Sequence, residues 1–315
     1  MVMNKVINNQ NASKTKKKIY LLKTFDSDLT VFRQRVGVDR SRSTYMKYLI
    51  VRNHLEDFIR IHYGRTDIRL DELSEEFIRL FCKHLLDKGL TQSTVWLYQI
   101  PLKRVCSQAF KNGQIPTNPC SDYHIRPNVK ARRYLTEGEL KLLMTKEIPD
   151  PKMAFTRDMF VFSCWTGISF ADLKSLTEDQ LIEIGKSLWI VSQRKKTQTL
   201  FRIKLMKVPM AIMKQYEPER TDAHIFNIGS YTVMNDRLKR LSKICGFHEP
   251  LTFHIARHTF ATIAMTNGMP IESISSILGH TSIATTQIYA KLTSAKLSGD
   301  VDRLERVLRS HKLTQ

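Results

Sequence analysis

The C-terminal third of the chain carries side chains whose order suits chemistry on a phosphate. In Thr252-Phe253-His254-Ile255-Ala256-Arg257-His258-Thr259-Phe260 a histidine and an arginine stand three residues apart. With Thr252 as N-cap, His254 and Arg257 share one face of the first turns of a helix. A helix N-terminus favours anions, and a guanidinium can hold a phosphate through two parallel hydrogen bonds. In Leu278-Gly279-His280-Thr281-Ser282, Gly279 is expected to end one helix and Ser282 to start the next, leaving His280 in the tight connection. Tyr289 follows, two turns into that next helix. Each part alone has a bland reading, as surface polar residues or as one of ten tyrosines. The ordered series is much rarer. A phenol with a reference pKa of about 10 is a weak nucleophile at neutral pH, so it needs cations and a proton acceptor nearby. Arginine and histidine donors can stabilise charge on a pentacoordinate phosphate.

Two domains are expected to position these groups. Residues 1–24 read as a basic, flexible arm, with Lys5, Lys14, Lys16, Lys17, Lys18 and Lys23 and no acid. Four helical patterns follow over 25–113: Asp26 to Val38, Ser43 to Tyr63, one after Ser74 that stops at Gly89, and Thr91 to Asn112, kinked or broken near Pro101. Residues 114–133, with three prolines and the cluster Lys130, Arg132 and Arg133, read as a basic linker. The second domain, 134–298, opens on a capping box from Thr136 to Glu139. A helix from about Lys152 to Trp165 ends at Gly167, and three short β patterns follow at 181–184, 188–191 and 200–205. Helices are expected at 209–216, 231–245, 253–267, 271–278, 282–292 and 300–309, the last forming a helical tail over 299–315. The fold class is therefore mainly α with a small antiparallel sheet.

Composition narrows the partner. Lys and Arg number 50 against 30 Asp and Glu, a formal charge of +20 over 315 residues. That excess points to a polyanion, since each cation that neutralises a phosphate releases a condensed counterion. No apolar stretch reaches the ~18 residues of a membrane span, and no basic amphipathic anchor appears. The five cysteines form no C-x-x-C pair, which indicates neither a disulfide framework nor a zinc site. No metal or other cofactor is called for, and the absence of a signal peptide predicts a cytoplasmic protein.

Over both domains, most clearly from Leu135 to Lys291, the sequence resembles the tyrosine recombinase or phage integrase family. That resemblance implies a helical core-binding domain and a catalytic domain, working as a homotetramer on paired double-stranded DNA recombination sites with accessory DNA-bending proteins. His254 and Arg257 match the family's H-x-x-R pair, His280 its later histidine and Tyr289 its nucleophile. The family keeps a lysine in a β-hairpin turn, here Arg194-Lys195-Lys196-Thr197; Lys196 is the better match and Lys195 the alternative. Such a lysine can protonate the departing 5′ oxygen, and the product is a 3′-phosphotyrosyl bond. Lys103, Arg104 and Lys111 on the fourth helix, with Lys130, Arg132, Arg133, Arg194 and Lys195, are expected DNA contacts. The C-terminal tail is expected to dock on a neighbouring subunit or on its own domain. The stretch before Asp26 is too short for an additional arm-site domain, which favours a simpler recombinase or inversion enzyme.

One position departs from the pattern. The family's first catalytic arginine belongs in a T-G-hydrophobic-Arg segment, and here Thr166-Gly167-Ile168-Ser169 puts a serine in its place. Ser169 with Asp172 suits a helix cap instead. A branch of integrases from conjugative elements, which the sequence also resembles, lacks the same arginine. Arg157 is the expected substitute, on the helix before the turn. A type IB topoisomerase, or a DNA-binding regulator that lost catalysis at Ser169, are the competing readings.

Overall fold

The computed structural model describes residues 18–121, 125–128, 132–289 and 294–310. The chain divides into two compact units between residues 130 and 131, each with its own core.

The first unit is helical: α1 (Leu21–Gln34), α2 (Arg42–Tyr63), α3 (Glu75–Asp87) and α4 (Gln92–Lys111). Ser41, Ser74 and Thr91 cap the last three, each accepting the N–H of the residue three positions on. Phe25, Phe58, Phe77 and Phe81 fill the core, with the Phe58 ring 5.2 Å from Phe77 and 5.5 Å from Phe81. Helix α1 starts at Leu21, ahead of the expected Asp26, because its cap is remote in sequence. The Asp67 carboxylate accepts the N–H groups of Leu22 and Lys23 at 2.9 and 3.1 Å. Asp67→Ala should cost about 1 kcal/mol, as lost caps do, and the Leu22 and Lys23 amides should lose hydrogen-exchange protection.

Three expectations about this unit need amending. Of the basic arm, residues 1–17 lie outside the described residues, and 21–24 already belong to α1. Helix α4 continues through Pro101 without a break. Proline removes one ladder bond there, while buried Leu102, Val105 and Cys106 hold the helix to the core. The early part of the expected linker is not a free connector. Ile115 and Cys120 are buried in the first core, and the Gln92 and Ser93 side chains donate to the Arg126 and Asn128 carbonyls, both at 3.0 Å.

The second unit runs α5 (Glu137–Thr145), α6 (Pro151–Thr166), α7 (Phe170–Lys174), β1 (Leu181–Ile184), β2 (Ser187–Gln193) and β3 (Leu200–Lys204). It continues with α8 (Lys207–Gln215), α9 (Tyr231–Ile244), α10 (Phe253–Thr266), α11 (Ile271–Leu278), α12 (Ala284–Gln287) and α13 (Ser294–Ser310). The capping box of Thr136 and Glu139 forms as expected. Helix α6 is the central rod; Met159, Phe160 and Phe162 are fully buried, and α5, α8, α9 and α10 pack on it. The strands form one antiparallel sheet in the order β1-β2-β3, with Ile190 opposite Ile203 and both facing the core.

Helix α12 is much shorter than the expected 282–292. It covers Ala284–Gln287, so Tyr289 lies in the turn beyond it, and residues 290–293 are outside the described residues. β-Branched Ile283, Thr285, Thr286 and Ile288 weaken a helix here. The Tyr289 N–H bonds back to the Thr286 carbonyl at 3.0 Å, closing a turn instead. No described helix is long and apolar enough to cross a membrane.

Candidate active site

Helix α10 is buried along most of its first half, from Phe253 to Ala261, with His254 the exception. Thr252 takes the extended N-cap conformation, but its hydroxyl makes no cap bond. The Asn235 side chain of α9 accepts the Phe253 N–H at 2.9 Å instead. This anchoring fixes the register of His254, Arg257 and His258.

Arg257 is 6% exposed and joins the ends of two helices. Its Nη1 donates to the Gly167 carbonyl at 2.8 Å, just past α6, and its Nη2 to the carbonyl of Leu278, the last residue of α11. Burial, then the nearby Arg194 guanidinium, push its pKa down to about 9, which leaves it cationic at neutral pH. Gly167 sits at φ +68°, and a Cβ there would lie 2.6 Å from the Phe260 ring and 2.9 Å from Leu278. Gly167→Ala should therefore destabilise the protein by roughly 2–4 kcal/mol, through strained backbone and overpacking together. Thermal unfolding should show the loss, and cleavage should fall with it as the Arg257 acceptor shifts.

His280 follows the left-handed Gly279, and its Nδ1 lies 2.8 Å from the buried Thr286 hydroxyl. Burial, then Arg257 and Arg194, bring its pKa to about 4, so the ring is neutral at pH 7. If Thr286 donates, the ring proton stays on Nε2, ready to donate to a phosphoryl oxygen. The Tyr289 hydroxyl lies 2.7 Å from His258 Nδ1. Burial raises the phenol's pKa, against the opposing pull of Arg257 and Arg132.

Around Ser169 the expected cap is present. The Ser169 hydroxyl accepts the Asp172 N–H at 3.4 Å and donates to Asp172 Oδ2 at 2.6 Å. Asp172 does more than complete the cap: its Oδ2 also holds the Arg194 guanidinium, and its Oδ1 accepts the Lys195 N–H at 3.0 Å. One carboxylate thus ties the start of α7 to the β2–β3 turn. The Arg194 stem lies over Gly279, where a Cβ would come within 2.8 Å of its Cγ, and its guanidinium carbon is 6.0 Å from the Phe201 ring centre. Its charge acts on both Arg257 and His280. A guanidinium therefore stands beside Ser169, supplied by the hairpin. Lys195 and Lys196 are exposed on the same turn.

Arg157 is not part of this group. Its Nε bonds to Asp158 at 2.8 Å and its Nη1 to the Lys146 carbonyl at 2.9 Å. It lies ten residues before Gly167, about 15 Å along the helix axis, near the middle of α6. These contacts do not bring Arg157 to Ser169, where the expectation would have it act. Arg133 is also engaged within its own unit, with the Glu249 carbonyl, Glu139 and the Phe247 ring. Arg132 is exposed and acts on His254, His258 and Tyr289. Lys130 is outside the described residues. In the first unit Arg104 and Lys111 are exposed, Arg104 with its guanidinium 5.9 Å from the Tyr48 ring centre, and Lys103 is half-buried.

Sequence reasoning did not single out His258, although it directly follows Arg257 and here meets the Tyr289 hydroxyl. It gave Asp172 only a capping role and Arg194 only a DNA contact. A hub formed through tertiary contact leaves no local pattern.

The family model for the phage integrase family matches residues 133–296, more than half of the chain. The chain belongs to the phage integrase family. A second model, the phage integrase SAM-like domain, matches residues 20–125. The chain is 22% identical to tyrosine recombinase XerC of Bacillus pumilus over 263 residues, 77% of this chain and 85% of that protein. A 60-residue stretch, 19% of this chain, is 43% identical to tyrosine recombinase XerD of Listeria monocytogenes, covering 20% of it. In fold it is similar to the Tn1549 transposon integrase in complex with circular intermediate DNA: TM-score 0.73, 18% identity, 90% of this chain and 99% of that one. It is also similar to a lambda integrase dimer bound to a core site: TM-score 0.69, 16% identity, 88% of this chain and 98% of that one. The family member described here is a tyrosine-type site-specific recombinase. The topoisomerase and regulator readings are not favoured.

Proposed function

We propose that the protein cuts and rejoins two double-stranded DNA sites through a 3′-phosphotyrosyl bond to Tyr289, integrating, excising or inverting the DNA between them. The observation that carries this reading is the gathering of the Tyr289 hydroxyl with Arg257, Arg194, His280 and His254 in one part of the second unit. A cavity of about 370 Å³ opens beside Ser169, His254 and Arg257, with room for a phosphodiester. Burial first, and then the Arg194 charge, hold the Arg257 pKa down, and an entering phosphate relieves that repulsion.

Arg257 and Arg194 grip the two non-bridging oxygens, and Arg194 takes the part of the arginine missing at Ser169. His280 and His254 add donors to the same oxygens as charge builds. Lys196, exposed at the hairpin tip, reaches the departing 5′ oxygen and protonates it. Lys195 serves as a phosphate contact beside it, with Arg132. In the first unit Lys103, Arg104 and Lys111 hold the DNA backbone. Four copies act together on two sites in the cytoplasm. The exposed Val301, Leu304 and Val307 of α13 support docking on a second copy.

The test is an incubation with duplexes tiled across the DNA adjoining the protein's own gene, in chelator. A denaturing gel should show a protein–DNA adduct, and peptide mapping should place the DNA on Tyr289. DNA bound tightly but linked through any other residue would sink the reading.

A further inference from the structure

His258 is 3% exposed, yet its Nδ1 faces the one hydroxyl that the cleavage chemistry must deprotonate, at 2.7 Å. The two rings lie with centroids 5.2 Å apart at 52°, which keeps the imidazole edge toward the phenol oxygen. The His254 ring stands edge-on against His258, with centroids 4.3 Å apart. The titratable and charged groups facing His258 are His254 and Arg257 on α10, Arg132 from the segment before α5, and Tyr289 beyond α12. Among the described residues, none of these is a carboxylate that would keep the imidazole protonated.

We infer that His258 is a catalytic residue: its Nδ1 takes the Tyr289 proton as the phenol oxygen attacks phosphorus. The inference rests on the strand-cleavage reading above. In the forward step the Tyr289 Oη–P bond forms and the P–O5′ bond breaks. The phenolic proton moves to His258, and the leaving 5′ oxygen takes a proton from the Lys196 ammonium. Rejoining reverses each transfer. The incoming 5′-hydroxyl gives its proton to Lys196, the Tyr289 Oη–P bond breaks, and His258 returns the proton to the phenol.

The surroundings give the acceptor the right state at the right time. Before DNA arrives, burial first, then His254, Arg132 and Arg257, hold His258 at a pKa of about 3, so the ring is neutral and Nδ1 can accept. A scissile phosphodiester brings negative charge among Arg257, Arg194 and Arg132, and raises the proton affinity of His258 as the proton must leave Tyr289. His254 does not make this contact; its ring meets His258 rather than the phenol.

The test uses the full chain and, from nicked suicide duplexes tiled across the DNA adjoining its gene, the one that wild-type protein cleaves. Single-turnover adduct formation is measured with oxygen or with sulfur at the scissile 5′ bridging position. His258→Asn keeps a hydrogen-bond acceptor near the Nδ1 position but cannot carry the proton; His258→Ala removes both. Both variants should cleave about 10²–10³-fold more slowly at equal DNA occupancy. Sulfur leaves without protonation, so it should rescue Lys196→Ala but neither His258 variant. His258→Asn cleaving within about three-fold of wild type would overturn the inference and leave His258 as a hydrogen-bond guide for the phenol. Rescue of His258→Asn by sulfur would also overturn it, by moving the defect to the leaving group. Wild-type protein that binds these duplexes and links none of them counts against the parent reading instead.

Discussion

A Tyr289→Phe protein should bind its DNA site as wild type does and form no covalent adduct. The substitution removes one atom, the hydroxyl oxygen that bonds His258, and keeps the ring. That ring packs beside Phe260, Met265, Ile274 and Leu278, so the local core persists. The lost hydrogen bond costs about 1 kcal/mol, too little to unfold a domain of this size. Arg257, Arg194 and His280 do not rely on the hydroxyl for their own contacts, so the phosphate-binding side of the cluster survives. Native and denaturing gels run on the same reactions separate the two properties. An adduct formed by Tyr289→Phe would remove Tyr289 from the mechanism.

Arg194→Ala should slow cleavage by about 10²–10³-fold, the usual loss when one preorganised donor to a developing oxyanion is removed. It also deprives Asp172, whose side chain is 5% exposed, of its cation, so some stability is expected to go with it. Arg194→Lys separates the two effects. Lysine keeps the charge beside Asp172 but not the planar fork, and about a tenfold loss is expected with the fold intact. Arg157→Ala is the control: its guanidinium serves Asp158 and the Lys146 carbonyl, so the cleavage rate of folded protein should stay within about two-fold of wild type. The decisive variant is the double change Ser169→Arg with Arg194→Ala. If Arg194 stands in for the arginine absent at position 169, the double variant should recover activity that Arg194→Ala lacks. A strong loss in Arg157→Ala alongside a mild one in Arg194→Ala would reverse the assignment.

Much of this was legible in the sequence where local signals carried it. The caps at Thr136 and Ser169, the glycine stops at Gly167 and Gly279, and the hairpin turn around Lys196 all follow from neighbours within a few residues. The series His254, Arg257, His280 and Tyr289 can be picked out from residue type and order alone. What failed was tertiary. Asp67 caps α1 from far along the chain, so α1 was expected to start late. Helix α12 stops at Gln287, since β-branched residues weaken it and Tyr289 folds back on Thr286. Sequence position alone favours Arg157, which lies on α6, the helix before the turn. Arg194 becomes a candidate only through Asp172, which draws the β2–β3 turn to the start of α7.

The shared carboxylate of Asp172 also constrains how the sequence can change. With Ser169 as its cap partner and Arg194 as its cation, the two residues form one mutational unit. Ser169→Arg alone would discard the hydroxyl cap of α7 and bring a further guanidinium into a crowded basic site, so it should lower activity. Arg194→Ala alone should lower it as well. The two together should be tolerated, and this sign reversal separates the sequence from one with arginine at 169 by a valley that no single step crosses. Stepwise selection toward such a sequence would therefore stall at either intermediate, whereas a recombined gene segment carrying both changes would not.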